Sequence, residues 1–320
     1  MSNTIHNICI AMCVNDGYVP YICVTIKSIL ENNHRNKVCI YVISDFISNK
    51  MCDRLNEVVS DYPNASLKII IVNPNRLFGL KDTWTLYTWY RVLLPDALGN
   101  DVHRVLYLDA DVVVVDDLRE LFKIDMTNIA IAGALDPLNN IDETFERCGY
   151  DRSKSYICAG VMLMNLDYWR ENNLSERIIK YGKENHDKIR FPDQDTINYL
   201  CRDSKIILPL RYGIMNVFFK NKLYYSSNYI MELYDCAFNP AIIHYAGTAP
   251  WKREFSNNIY QSEWNKYNRL LKHPAKKMYI TKGLNLLKVR IWNLLHWHKR
   301  NVLDITEYRS KISRLVNSLQ

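Results

Sequence analysis

The sequence predicts an α/β protein with a mostly parallel central sheet, one large domain over residues 1–266 and a basic helical tail over 267–320. Three observations carry this expectation. Short β-branched runs alternate with helix-spaced segments through the first 135 residues. The runs are apolar throughout rather than alternating, as strands covered on both faces are. Residues 267–320 hold 12 Lys/Arg against 2 acids, so the net charge of +7 belongs to the tail while the rest of the chain is slightly acidic.

Taken in order, NICIAMCV (7–14) reads as a buried strand, and VPYICVTIKSILENN as a helix with Ile22, Ile26, Ile29 and Leu30 at helical spacing. KVCIYVIS (37–44) and LKIIIVN (67–73) are strands, separated by a helix that carries Met51, Leu55, Val58 and Val59 on one face. TWTLYTWYRVLLPDAL reads as a helix ended by Pro95, and HRVLYLD as the next strand. VVVVDDL resumes in a short strand before a helix. Farther on, IAIAGALD (129–136) and YICAGVMLMNLDYW (156–169) read as strands flanking a loop, with a turn of small residues where the second begins. PDQDTINYLC (192–201) reads as a Pro-led helix, and AIIHYAGTAPWKRE (241–254) as a strand entering a Gly/Pro loop.

Composition narrows the class. Hydrophobic residues make up 48% and charged residues 23%, which suits a globular protein with a substantial core. Nine scattered cysteines without a C-x-x-C pair read as buried thiols in a reducing compartment, with no disulfide framework or zinc site. Neither a signal peptide nor a transmembrane run is legible, so a cytoplasmic location is expected.

Asp109-Ala110-Asp111 interrupts the apolar run RVLYLDADVVVV. Parallel sheets place ligand sites beyond the carboxyl ends of their strands, which is where this triplet falls. Alternate residues of a strand face opposite ways, so both carboxylates reach one cation only if the backbone turns there. Hard oxygen ligands suit Mg²⁺ or Mn²⁺ bridging to a diphosphate. His244 at a strand end, Gly247 and Lys252 in the following loop, Asp193 and Gln194 at a helix start, and the small residues after Ile157 add chemistry that a nucleotide-sugar site needs.

Six segments, NDGYVPYICVTIKSIL, WYRVLLPDAL, RVLYLDADVVVVDDL, CAGVMLMNL, DQDTIN and HYAGTAPWK, run in order from about residue 7 to 254 and resemble glycosyltransferase family eight. That family contains retaining enzymes, among them bacterial lipopolysaccharide galactosyl- and glucosyltransferases and glycogenin. The resemblance implies a GT-A fold and transfer of a hexose from a UDP-sugar, UDP-glucose or UDP-galactose, to a saccharide acceptor on a lipid carrier. It implies Mn²⁺, with Mg²⁺ as the alternative, held by Asp109, Asp111 and His244. Tyr18 would stack on uracil, Asn15 and Arg91 would help hold the nucleotide and donor sugar, and Ala110, Gly247 and Lys252 would lie along the nucleotide and its phosphates. Asp193 and Gln194 would sit beside the anomeric carbon, Cys158 and Ala159 beside the sugar, and Asp136 at the donor–acceptor junction.

Departures from the family pattern are Asn15 for an aspartate, Cys158 for an asparagine, and a loop after His244 lacking the lysine that usually precedes its proline. They motivate an alternative, a catalytically weakened nucleotide-sugar-binding protein. An aspartate-based phosphatase fits less well, since its D-x-D follows an early strand and precedes Gly-Thr. Plainer roles for single residues are a helix cap for Asp193, a structural ion pair for Arg91 and packing for Tyr18. In the tail, Leu284, Leu287, Ile291, Leu294 and Leu295 form one helical stripe, with Lys288 and Lys299 beside it and Trp292 and Trp297 outside it. This suits either a helix packed on the domain or peripheral attachment to an anionic surface, the cytoplasmic face of an inner membrane. No motif for nucleic acid is present.

Overall fold

The computed structural model describes residues 7–80, 85–219, 227–252 and 258–278. Its first half follows the expected alternation: β1 (Asn7–Cys13), α1 (Val19–Asn32), β2 (Lys37–Ser44), α2 (Asn49–Ser60) and β3 (Ala65–Ile71). Helix α1 opens with Pro20 in its first turn, where a missing N–H costs nothing. Residues 86–93 correct the sequence reading. They form a 3₁₀ helix, Leu86–Leu93, whose start is capped by Thr85 Oγ1 accepting from Tyr87 N–H at 3.0 Å. Pro95 does not end this helix but lies in the first turn of α3 (Leu94–Ala97), again where no N–H is needed.

After β4 (Arg104–Leu108) come β5 (Val112–Val114), α4 (Arg119–Phe122), β6 (Ile131–Leu135) and α5 (Asp142–Cys148). The link between the two strands expected at 129–169 therefore contains helical turns rather than a plain loop. β7 spans Ile157–Asn165, so Cys158, Ala159 and Gly160 belong to the strand itself and not to a turn before it. The chain continues through α6 (Leu166–Glu171), α7 (Leu174–Glu184), α8 (Pro192–Leu200), β8 (Lys205–Leu208), β9 (Ile214–Met215), α9 (Ser227–Phe238), β10 (Ile242–His244) and α10 (Gln261–Arg269).

Seven strands form the main sheet in the order β3-β2-β1-β4-β7-β6-β8. Neighbours are parallel except where β7 enters antiparallel between β4 and β6. A second sheet, β5-β10-β9, pairs β10 antiparallel to β5 and parallel to β9. The chain passes from one sheet to the other between Leu108 and Val112. Helix α1 underpins that passage: Thr25 Oγ1 donates to Val112 C=O at 2.7 Å, and Ser28 Oγ accepts from Val114 N–H at 2.9 Å. With α2, β5 and α10 also packed on it, α1 is buried around most of its circumference.

The boundary at residue 266 falls inside α10, and packing continues past it through buried Tyr267, Leu271 and Ala275. The amphipathic stripe read at 283–300 lies outside the described residues. Among those described, no helix is long and apolar enough to cross a membrane.

Candidate active site

Asp109 and Asp111 stand on the passage between the sheets. Asp109 N–H donates to Gly160 C=O of β7 at 2.8 Å, whereas Asp111 C=O accepts from Tyr245 N–H, just past β10, at 2.8 Å. The backbone thus leaves one sheet and joins the other within three residues, which supplies the turn that both carboxylates need. His244 ends β10 opposite Val112. Its Nε2 lies 3.3 Å from Asp111 Oδ1 and 3.8 Å from Asp109 Oδ2. One ligand atom of each residue falls within 4.8 Å of the other two. Two carboxylate oxygens and one imidazole nitrogen so gathered are a donor set for a divalent cation. Burial would raise the Asp111 carboxyl, but His244 beside it holds it below the usual carboxylate range. Burial would likewise lower His244, and Cys158 and Asp111 push it well above its ordinary value.

Gly160 makes the approach possible: a β-carbon there would lie 2.4 Å from His244 Cε1 and 2.5 Å from Asp109 Oδ2. The other ring nitrogen, Nδ1, faces Cys158 Sγ at 3.5 Å. Cys158, read as a neighbour of the sugar, therefore contacts the imidazole as well as the cavity.

Arg91 is 3% exposed and joins the acids of the site. Its guanidinium pairs with Asp109 Oδ1 at 2.9 Å and Asp193 Oδ2 at 3.1 Å, and donates to Ala159 C=O at 2.5 Å and Thr88 C=O at 2.8 Å. It also lies 4.2 Å from the centroid of the Tyr107 ring, whose hydroxyl donates to Asp109 Oδ1 at 2.7 Å. The two carboxylates outweigh burial and hold the Arg91 charge firmly in place. Asp193 is not a helix cap; Phe191 occupies the N-cap of α8, with no side-chain cap bond. Burial raises the Asp193 carboxyl and Arg91 opposes the rise.

Gln194 is bonded at both ends of its amide. Ala159 N–H donates to Oε1 at 2.9 Å, while Nε2 donates to Asp136 Oδ2 at 3.1 Å and Tyr156 Oη at 3.2 Å. Tyr156 in turn donates to Asp195 Oδ1 at 2.6 Å, and Asp195 also accepts from Arg147 and from the N–H groups of Arg190 and Phe191. Burial raises the Asp136 carboxyl.

Two cavities meet at these residues. One, of about 400 Å³, is lined by Asn15, Tyr18, Ala110, Trp251 and Lys252 among others. The other, of about 430 Å³, is lined by Asp136, Cys158, Asp193, Gln194, His244 and Gly247 among others. Thr88, Arg91, Asp109 and Asp111 line both. Every expected site residue except Ala159 therefore lines one cavity or the other, and Ala159 bonds to Gln194 and Arg91 through its backbone. Asn15 also caps the turn that presents Tyr18, its Oδ1 accepting from Tyr18 N–H at 3.1 Å. Sequence reasoning missed Thr88, Tyr107, Tyr156 and Trp251. Their signal was weak: Tyr107 in β4 and Tyr156 just before β7 read first as core, while Thr88 in the 3₁₀ helix and Trp251 in the loop after β10 carry no pattern of their own.

The family model described as glycosyl transferase family 8 matches residues 9–255. A lipopolysaccharide 1,2-glucosyltransferase of Escherichia coli is 28% identical over 286 residues, 83% of each chain. A lipopolysaccharide 1,3-galactosyltransferase of Salmonella typhimurium is 27% identical over 243 residues, 71% of this chain and 68% of that one. Among solved structures, the galactosyltransferase LgtC in complex with donor and acceptor sugar analogs superposes with a TM-score of 0.74. At 22% identity, that match covers 88% of this chain and all of the other, and shows the GT-A fold.

Proposed function

The chain belongs to glycosyl transferase family 8, and we propose that it transfers glucose or galactose from a UDP-sugar to a saccharide acceptor of a bacterial surface glycan such as lipopolysaccharide, with retention at the anomeric carbon. The observation that carries this reading is the pair of cavities meeting at Asp109, Asp111 and Arg91. The first suits the nucleotide, with Tyr18 and Asn15 for the base and Lys252 for phosphate charge. The second suits the donor sugar and the acceptor hydroxyl. Two adjoining cavities that carry the expected residues, together with relatives named as transferases, favour an enzyme over the weakened binding protein.

Asp109, Asp111 and His244 would hold Mn²⁺, or Mg²⁺, which when bound stabilises the charge that gathers on UDP as the glycosidic bond breaks. Arg91 pairs with both Asp109 and Asp193 in a buried setting, so its guanidinium offsets the two acids and fixes the orientation in which Asp109 faces Asp111 and His244. Gln194 is a neutral amide whose oxygen accepts from Ala159 N–H, and Asp193 Oδ2 is drawn to Arg91, which makes both poor nucleophiles toward carbon. Attack of the acceptor on the face from which UDP departs therefore fits better than a covalent intermediate. In that step the bond from carbon to phosphate oxygen breaks, the acceptor oxygen bonds to the same carbon, and the hydroxyl proton passes to the departing phosphate. Asp136 and Gln194 would orient the acceptor hydroxyl and the sugar. The basic tail would hold the enzyme on an anionic membrane surface, next to a lipid-linked acceptor.

Calorimetric titration with UDP, in Mn²⁺ and then in EDTA, tests the site. Binding that requires the metal and is lost in Asp111→Asn is expected; equal binding in EDTA would remove the metal assignment, and no binding in either condition would remove the nucleotide.

A further inference from the structure

Trp251 and Lys252 form one wall of the first cavity. Trp251 stacks on Tyr21 with 4.2 Å between ring centroids and stands edge-on to Tyr18 at 6.0 Å. The loop that carries them leaves β10 through Gly247, whose φ of 70° suits glycine. Two local turns shape it: Thr248 N–H donates to Tyr245 C=O at 2.8 Å, and Lys252 N–H to Ala249 C=O at 3.0 Å. Neither turn fixes where the wall stands relative to the cavity.

Besides the stack of Trp251 on Tyr21, the wall is tied to the two ends of α10. At its beginning, Asn258 Nδ2 donates to Thr248 Oγ1 at 3.1 Å, and Gln261 Nε2 to Pro250 C=O at 3.2 Å. From its far end the chain turns back. Asn268 holds Ala275 by both backbone groups, Nδ2 donating to the carbonyl at 3.1 Å and Oδ1 accepting from the N–H at 2.7 Å. Ala275 is buried, and the Lys277 ammonium lies 5.7 Å from the centroid of the Trp264 ring. Met278 then donates its N–H to Trp251 C=O at 2.9 Å, and Lys252 and Met278 form a parallel bridge.

We infer that residues 275–278 are a strap that positions the Trp251–Lys252 wall of the donor cavity, so that the root of the basic tail helps to set affinity for the nucleotide. The inference rests on reading that cavity as the UDP site. It joins two regions of sequence otherwise assigned to separate tasks, the donor loop and the tail. The Met278 side chain is half exposed, so the contribution comes from its backbone and not from its identity.

The test uses the full chain with Mn²⁺ and UDP. Met278→Pro removes the N–H, Met278→Ala keeps it, and Asn268→Ala frees the strap at its root. Loss of one such hydrogen bond corresponds to about a fivefold weakening. Met278→Pro and Asn268→Ala are expected to bind UDP at least that much more weakly and to raise the donor KM, with kcat at saturating donor retained. Met278→Ala is expected to match the wild type. A merely structural role would lower the unfolding temperature and kcat together. Wild-type UDP affinity in both Met278→Pro and Asn268→Ala would overturn the strap. If the wild type itself binds no UDP, the functional reading fails on its own. Hydrogen exchange at residues 249–252 then decides the strap: faster exchange in Met278→Pro supports it, and unchanged exchange overturns it.

Discussion

At Gly160 the absence of a side chain lets His244 and Asp109 approach each other beside Asp111. Gly160→Ala would drive a methyl group between His244 and Asp109, both held by backbone pairing on either side of the proposed metal site. The strain is of the order of 1–3 kcal/mol, and the imidazole is the group most able to yield. Metal-dependent UDP affinity should fall more than about tenfold, while the far-ultraviolet spectrum stays that of the wild type. Unaltered affinity would mean that the site tolerates a displaced imidazole. The sequence contains this glycine in CAGV, and its role there is legible only as small size. What it must avoid lies 84 residues away in His244 and 51 away in Asp109, a closeness set by the pairing of β7 with β4 and of β10 with β5. Asp109, Asp111 and His244 were legible because each ends or follows an apolar run, the pattern of a sheet edge. Tyr107 and Tyr156 were not, because their rings are buried in the core and it is their hydroxyls that bond to Asp109 and Gln194.

Among the elements, α1 and β5 show how the scaffold holds the turn between the two aspartates. Ser28 Oγ accepts from Val114 N–H and donates to Thr25 C=O at 2.6 Å. Ser28→Ala would leave the Val114 N–H buried without that partner, at a cost of about 1–3 kcal/mol. A lower urea midpoint with an unchanged slope is the expected result; an unchanged midpoint would mean that the strand repairs the loss. β8 offers a pH-dependent case. Burial lowers the Lys205 ammonium to about 8, while the unfolded chain keeps its proton to near 10.5. Between those values the unfolded state holds more protons, so this residue makes stability rise with pH. Its acceptors have other donors: Ser155 C=O also takes Tyr150 Oη–H, and Asn198 Oδ1 takes Ile157 N–H. Lys205→Met should therefore be more stable than the wild type at pH 7, by roughly 1–2 kcal/mol, with the gap closing as pH rises through 8 to 10. A gap independent of pH would assign the effect to packing alone. The parallel strands and α1 were legible from β-branched runs and helical spacing. The antiparallel entry of β7 was not, since an apolar run carries no direction. The 3₁₀ helix at Leu86–Leu93 was misread for a similar reason: its buried Trp89, Tyr90, Val92 and Leu93 suit either helix type, and Pro95 marks a beginning as well as an end.

For the whole molecule, the question is where the catalytic unit stops and the basic tail begins. Charge alone put the change near residue 266, because bases dominate from there on. Packing puts it later. Tyr267 is 1% exposed and its hydroxyl accepts from Asn32 Nδ2 at 2.8 Å, tying α10 to the end of α1. Leu271 and Ala275 join the same core cluster, and Met278 reaches the loop of Trp251 and Lys252. A chain ending at residue 266 would lose all of these contacts, and its unfolding temperature should drop by roughly 10 °C or more. A chain ending after Met278 keeps them and should unfold within about 2 °C of the full protein. It also lacks residues 279–320, which hold eight Lys/Arg against two acids. If those bases bring the enzyme to a membrane, sedimentation with anionic vesicles at low salt should be lost in the chain ending after Met278. Metal-dependent UDP binding by that same chain should persist, because the bridge to Trp251 remains. Retained sedimentation would place the vesicle-binding surface on the folded domain instead. Loss of UDP binding would show that the donor site depends on chain beyond the strap.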